Sequence, residues 1–316
     1  MIFEKIRTVP RSNELLDKAF RRGSRAKNGK ISYNTKREAE ASMIMTAGNI
    51  LSDNLANVVR DFPSFNEISP FYNELADVIV GVDKIRVSLS SIQWASKKIK
   101  EISRVNISKI YHKEDPKLTR QSAIGRMSSV VNRISKDLEF LDETRNKLRK
   151  LPDIRDEPTI VVAGYPNVGK SSFVKIVSSA NPEIATYPFT TKGLLVGHFA
   201  RDDTRYQIVD TPGLFDRPLK ERNTIERQAI LALAHQCNII LFILDPSETC
   251  GYELEEQEKL REELVNTFSA PVVTVYNKKD MVQKNYPLSM STLTKGGTDA
   301  ILELLVEKIS ERACLD

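Results

Sequence analysis

The sequence predicts an α/β P-loop domain, a mostly parallel sheet flanked by helices, preceded by an all-α helical bundle. Three observations carry this. Before Pro158 the apolar residues recur at three- and four-residue steps, with no alternating strand pattern. After Pro158, short β-branched runs alternate with helical stretches, as in a parallel sheet. The first of those runs, "PTIVVAG" (158–164), leads directly into "GYPNVGKSS" (164–172), a complete match to G-x-x-x-x-G-K-[ST].

Taken in order, the first helix is expected over residues 12–27, capped by Ser12, with Leu15, Leu16 and Phe20 inward. A second covers 35–62, with Met43, Ile50, Leu51, Leu55 and Val58 on its apolar face. Pro70 opens a third at its first turn. From there Leu75, Val78, Val82, Ile85, Leu89, Ile92 and Ile99 form a continuous seam. A last helix is expected from about Leu118 to Leu151, with Ile124, Met127, Val131, Ile134, Leu138 and Leu141 inward. Long helices with one apolar stripe each pack as a bundle. The segment "LPDIRDEP" (151–158), with a proline near each end, reads as the linker. The expected domains are therefore 1–152 and 153–316.

Charge divides along the same line. Residues 1–150 hold 29 Lys and Arg against 18 Asp and Glu, and residues 151–316 hold 18 against 24. A basic first half joined to an acidic second half suggests that the first half meets a polyanion. "RRGSRAKNGK" (21–30) is the densest stretch: it would set Arg21, Arg22, Arg25, Lys27 and Lys30 against phosphates, or else form a solvated helix end. In "WASKKIKEISR" (94–104) Trp94 would either pack in the bundle core, which is the expectation, or stack on a base, and the lysines are expected to face water. The three cysteines and three histidines are scattered without metal spacing. No apolar run resembles a signal peptide or reaches the ~20 residues that span a bilayer, so a reduced, cytoplasmic protein is expected.

The chemistry gathers at the ends of the expected strands. In 164–172 glycine lets the chain turn tightly enough for backbone N–H groups to face a diphosphate. Gly164, Tyr165, Pro166, Asn167, Val168, Gly169, Lys170, Ser171 and Ser172 are the candidate phosphate contacts. Lys170 would reach the β- and γ-phosphates, and Ser171 would place its hydroxyl on Mg²⁺. The following helix (170–180) adds its N-terminal donors. "DTPG" (210–213) ends the strand "RYQIV" (205–209); Asp210 would bind Mg²⁺ through water, and Gly213 would offer its N–H to the γ-phosphate. In "YPFTT" (187–191), Thr191 or its neighbour Thr190 would complete the Mg²⁺ shell.

The base is read further on. "NKKD" (277–280) ends the strand "PVVTVY" (271–276). An Asp280 carboxylate can accept from guanine N1–H and the exocyclic amine, a donor pair that adenine lacks. Sites built on such bonds discriminate by roughly 10⁴–10⁵. Asn277, Lys278 and Asp280 are the candidate nucleotide contacts here, and Asn277 would also tie this segment to the phosphate loop. "MSTLTKGG" (290–297), after an expected strand at 286–289, would turn the backbone N–H groups of Ser291, Thr292 and Leu293 toward guanine O6. GTP or GDP with Mg²⁺ is thus the expected ligand.

"GYPNVGKSS", "YPFTT" and "DTPG" together resemble the translation-factor-related GTPases of the Obg-like branch. "DPSETCGYELEEQ" (245–257), after the strand "NIILFIL" (238–244), is similar to the corresponding segment of the nucleolar GTP-binding protein family, which assembles the large ribosomal subunit. The resemblance covers residues 158–316 and extends more loosely to the helical half. It implies a GTPase switch whose partners are the large-subunit precursor and its rRNA, through the N-terminal domain, together with assembly factors and no membrane. Members with a long C-terminal extension differ from this chain, whose short form looks archaeal.

The same comparison frames the catalysis. Lys170, Asn167, Thr191 and Gly213 are the candidate catalytic groups. Where many small GTPases carry a water-orienting Gln, this chain has Leu214, so slow intrinsic turnover is expected. In related GTPases an Asn at the place of Asn167 helps hold a potassium ion beside the phosphates; here it would either do so or stabilise the turn. Two alternatives stand beside this reading: an Obg-like GTPase of translation or stress signalling, and an RNA-binding assembly scaffold with structural nucleotide.

Overall fold

The computed structural model describes residues 2–28, 36–112, 115–151, 153–154, 157–185, 187, 193–218 and 221–313. Contacts divide the chain into two compact units, residues 1–68 with 80–149 and residues 69–79 with 150–316.

The first unit is helical. It contains α1 (Ser12–Asn28), α2 (Lys36–Asp61), α4 (Val82–Tyr111), α5 (Pro116–Arg133) and α6 (Ser135–Leu148). Its centre is α2, whose buried Ile44, Ala47, Leu51 and Leu55 meet Ile92, Ala95, Ile99 and Ile102 of α4. Each fully buried Leu or Ile contributes roughly 1.5–3 kcal/mol. Two buried serines fasten the pair without leaving a hydroxyl unsatisfied: Ser96 Oγ donates to Ser52 O at 2.8 Å, and Ser103 Oγ to Ile44 O at 3.1 Å. Asp115 caps α5 by accepting from Leu118 N at 2.8 Å, with Pro116 in the first turn.

Three expectations are corrected here. The seam from Leu75 to Ile99 is interrupted: α3 (Pro70–Ile79) ends before Gly81, whose φ of +88° an L side chain rarely adopts, and α4 starts afresh at Val82. The last helix is two helices, parted at Ile134, whose N–H bonds to Val131 O three residues back and tightens the turn. Trp94, expected inside, is 43% exposed.

The second unit is a six-stranded sheet: β1 (Thr159–Ala163), β2 (Glu183–Ala185), β3 (Leu194–Arg201), β4 (Thr204–Asp210), β5 (Ile239–Leu244) and β6 (Val272–Tyr276). The order is β2-β3-β4-β1-β5-β6; β2–β3 and β3–β4 are antiparallel, and β4, β1, β5 and β6 are parallel. Strands β1 and β5 are buried throughout, which explains their unbroken apolar sequence. Helices α7 (Lys170–Val177), α8 (Thr224–His235), α9 (Leu254–Thr267) and α10 (Thr298–Ala313) accompany the sheet. The strand expected at 286–289 is reduced to one bridge, Ser289 with Tyr276.

Helix α3 belongs to this unit, packed against α8. Tyr72 fixes it: its hydroxyl donates to Ile154 O at 3.1 Å and accepts from Ile154 N at 3.0 Å.

Because β1, β4, β5 and β6 run in the same direction, the segments that follow them emerge at one edge. These are 164–172, 210–213, 245–257 and 277–280. That edge is where ligands bind in open α/β sheets.

Candidate functional site: a phosphate loop joined to a base-reading segment

The loop after β1 is built around its lysine. Lys170 is buried, and its Nζ donates to Gly164 O and Tyr165 O, each at 2.7 Å. Asn167, at the exposed tip, has φ of +63°, a left-handed conformation that Asn tolerates. Pro166 is half-buried, Ser172 exposed, and Val168 fully buried. Tyr165 lies over Tyr252 with ring centroids 4.3 Å apart, which connects the loop to the segment after β5.

Asn277 joins the loop to the segment after β6. Its Nδ2 donates to Val168 O at 2.8 Å and to Thr292 Oγ1 at 3.0 Å, while its Oδ1 accepts from Thr292 N at 2.9 Å. Gly169 is required beneath it: φ is +106°, and a Cβ there would stand 2.1 Å from Asn277 Nδ2. Asp280 follows on an exposed turn, and its carboxylate has no partner among the described residues. Of the three amides expected at guanine O6, two have internal partners: Ser291 N donates to Gly296 O at 2.9 Å and Thr292 N to Asn277 Oδ1. That narrows the role to Leu293, which is 83% exposed and whose N–H has no partner among the described residues.

Beside the loop, Ser171 Oγ donates to Asp210 Oδ2. Asp210 is fully buried, and its Oδ1 has no hydrogen-bond partner among the described residues. Burial pushes its carboxyl above the usual range, against the Ser171 hydrogen bond and the Lys170 charge. A hydroxyl and a carboxylate with one orphaned oxygen are a hard, oxygen-only donor set, and they fit Mg²⁺. Thr190 and Thr191 lie outside the described residues. Tyr187, at the start of that segment, is anchored by its hydroxyl on Ala229 O at 2.7 Å.

After β4, Thr211 Oγ1 donates to Val162 O at 3.0 Å, and Gly164 N donates to Phe215 O at 3.1 Å, so the loops after β1 and β4 are stitched together. Leu214 is fully buried, part of the core rather than the site. Sequence reasoning missed what holds this turn. Gly213 N donates to Asp216 Oδ2 at 2.9 Å. The buried Arg222 side chain donates to Gly213 O, to Leu214 O at 2.9 Å and to Asp216 Oδ1 at 2.9 Å. One guanidinium thus grips two carbonyls and the carboxylate that occupies the Gly213 amide. An Arg next to Asn223, which caps α8 through a capping box with Glu226, was the available signal.

The segment after β5 is organised by the fully buried Asp245. It accepts from Lys278 Nζ at 2.6 Å, Ser247 N at 3.0 Å, Ser247 Oγ at 2.5 Å and Cys250 N at 2.8 Å. Burial works to raise this carboxyl, but the Lys278 ammonium and the Ser247 and Cys250 donors outweigh it and hold it below the usual range. Gln257 of α9 closes the loop, accepting from Asp245 N at 2.8 Å and donating to Tyr252 O at 2.9 Å. Lys278, in a left-handed turn, therefore links the 277–280 segment to the 245–257 segment.

A phosphate loop, a hard-cation donor pair and a free carboxylate tied to that loop define the class: a P-loop domain of the guanine-nucleotide-binding kind. Comparison with known proteins gives the particular family. The family model for the NOG1 N-terminal helical domain matches residues 3–155, and that for nucleolar GTP-binding protein 1 matches residues 224–280. An uncharacterized protein of Methanocaldococcus jannaschii is 40% identical over 89% of this chain and 82% of its own length. Nucleolar GTP-binding protein 1 of Encephalitozoon cuniculi is 40% identical over 75% of this chain and 46% of its own. A crystal structure of a candidate nucleolar GTP-binding protein 1 from Plasmodium falciparum is 38% identical, covering 52% of this chain and 92% of that one, with a TM-score of 0.47. The chain belongs to the nucleolar GTP-binding protein 1 family. It spans about half the length or less of the curated relatives that carry that name. No helix among the described residues is long and apolar enough to cross a membrane.

Proposed function

We propose that this protein is a GTP-hydrolysing switch acting in large ribosomal subunit assembly, with rRNA and the subunit precursor as partners of its basic N-terminal unit. The observation that carries the GTP reading is the Asn277 junction, which holds a segment with a free Asp280 carboxylate against the phosphate loop. The ribosomal reading rests on family membership and on the net positive charge of residues 1–150.

Gly164 to Ser172 would wrap the phosphates, with Lys170 turned from its own loop carbonyls toward the β- and γ-oxygens. Ser171 and Asp210 would hold Mg²⁺, which neutralises charge between the β- and γ-phosphates when bound. Asp280 and the Leu293 amide would read guanine. The γ-phosphate needs the Gly213 N–H, which Asp216 already holds, so GTP must displace that carboxylate while GDP need not. Asp216→Ala should therefore tighten a non-hydrolysable GTP analogue relative to GDP by about tenfold, as a charge-assisted bond of ~1.5 kcal/mol is removed from the competing state. Calorimetric titration of both nucleotides checks this; an unchanged ratio of affinities contradicts it.

Leu214 cannot orient water, so turnover of the isolated chain should be slow and dependent on a group from outside. A potassium ion at Asn167 would supply positive charge beside the phosphates. Phosphate release measured in K⁺ and in Na⁺ at equal ionic strength tests it: faster release in K⁺ is expected, and equal rates leave Asn167 as a turn residue.

A further inference from the structure

The face shared by α4 and α5 carries a feature that the nucleotide site does not use. These two helices contain eleven Lys and Arg against two carboxylates. On that face stands Trp94, the only tryptophan of the chain, 43% exposed. Arg133 of α5 lies over its ring, with the guanidinium carbon 5.2 Å from the centroid. A buried structural tryptophan would need no such partner. An exposed one, covered on one side by a cation, is a flat π-surface held in a fixed orientation.

The surroundings continue the pattern. Along α4, Lys98, Glu101 and Arg104 follow Trp94 at helical spacing, about 15 Å of surface at 1.5 Å per residue. Along α5, Arg126 precedes Arg133 by seven residues, two turns on the same stripe. Lys98 pairs with Glu101 at 2.9 Å. The Glu101 carboxyl is held below its usual range first by that hydrogen bond and Lys98's charge, then by Arg126 and Arg104, which places both arginines within electrostatic reach. Arg104, Arg126 and Arg133 are exposed, and none has a hydrogen-bonded or ion-pair partner among the described residues. One arginine over an exposed indole, with two more free of ion pairs along the same two helices, suits a ligand that offers phosphates and flat rings together.

We propose that the Trp94–Arg133 platform is a stacking site for an unpaired base of single-stranded RNA, whose backbone phosphates run past Arg126 and Arg104. This deepens the rRNA reading above and rests on it, naming which part of the basic unit would hold the strand and in what form. Duplex RNA keeps its bases stacked and would meet only the arginines. An acidic polypeptide or an anionic surface would do likewise, without a ring to place on the indole.

The test uses the full chain and its single tryptophan as the reporter. Titrate it with a single-stranded oligonucleotide of mixed sequence, a duplex of the same length, and heparin. Quenching of Trp94 emission by the single strand but not by heparin or the duplex is expected. Trp94→Ala should weaken the single strand by about tenfold and leave heparin unchanged, and Trp94→Phe should restore most of the loss. Circular dichroism melting of each variant confirms folding. Equal quenching by heparin overturns the site, as does an unchanged single-strand affinity in Trp94→Ala. In either case, retained RNA binding leaves the broader partner reading standing. Failure of every RNA to bind overturns both.

Discussion

Lys170→Ala should weaken GTP and GDP by about 30- to 4,000-fold, measured by displacement of a fluorescent nucleotide. The reasoning starts from burial. The ammonium sits inside the loop, 7% exposed, at 2.7 Å from Gly164 O and Tyr165 O. Removing one partner of a buried, hydrogen-bonded charge pair costs about 2–5 kcal/mol, and each 1.4 kcal/mol is tenfold. In the free protein the same amine neutralises carbonyl dipoles that would otherwise face one another, so the loop itself should loosen. The core beneath it, Val161, Val162, Phe173 and Val174, is untouched, and the melting temperature without nucleotide should move little. Nucleotide affinity equal to the parent's would show that the loop binds no phosphate.

Asp280→Asn should invert the choice of purine. On the proposed reading the parent carboxylate would accept two hydrogen bonds from guanine; it has no partner among the described residues, so its full acceptor capacity is available. Hydrogen bonds to a charged group are worth about 1.5–3 kcal/mol each, and losing the charge should weaken GTP by about a hundredfold. The new amide can donate to the C2 carbonyl of xanthine, and xanthosine triphosphate should bind the variant more tightly than GTP does. Because Asn277, Lys278 and Gly169 are unchanged, the frame of the site persists. Loss of affinity for every purine alike would mean that position 280 shapes the loop instead of reading the base.

What was legible in the sequence is what has local grammar. The loop at 164–172 announces itself by glycines at fixed spacing, and Gly164 and Gly169 both have positive φ. The runs at β1 and β5 are apolar because both faces are covered, β6 at the sheet edge alternates buried with half-buried residues, and the ends of all three mark the motifs. The tie from Asn277 to the loop follows from the motif's place after β6. Long-range choices left no such trace. The one local cue to Arg222 is its place beside the cap residue Asn223; its turn inward onto Gly213 and Leu214 is a tertiary choice, because an arginine after a polar turn reads as solvated. The apolar period runs through Gly81 without a gap, so the separation of α3 from α4, and the packing of α3 on α8, emerge only from contacts. Trp94 illustrates the same limit in reverse: an aromatic at helical spacing suggests a core, and only the packing of α4 turns it outward.

Whether the sheet edge forms a guanine-reading pocket is decided by competition binding. Load the parent protein with fluorescent GDP and Mg²⁺, then add unlabelled GTP or ATP. Displacement by GTP at near-stoichiometric concentration, with ATP ineffective at hundredfold excess, is the predicted result. Displacement by ATP at the same concentration as GTP would contradict it.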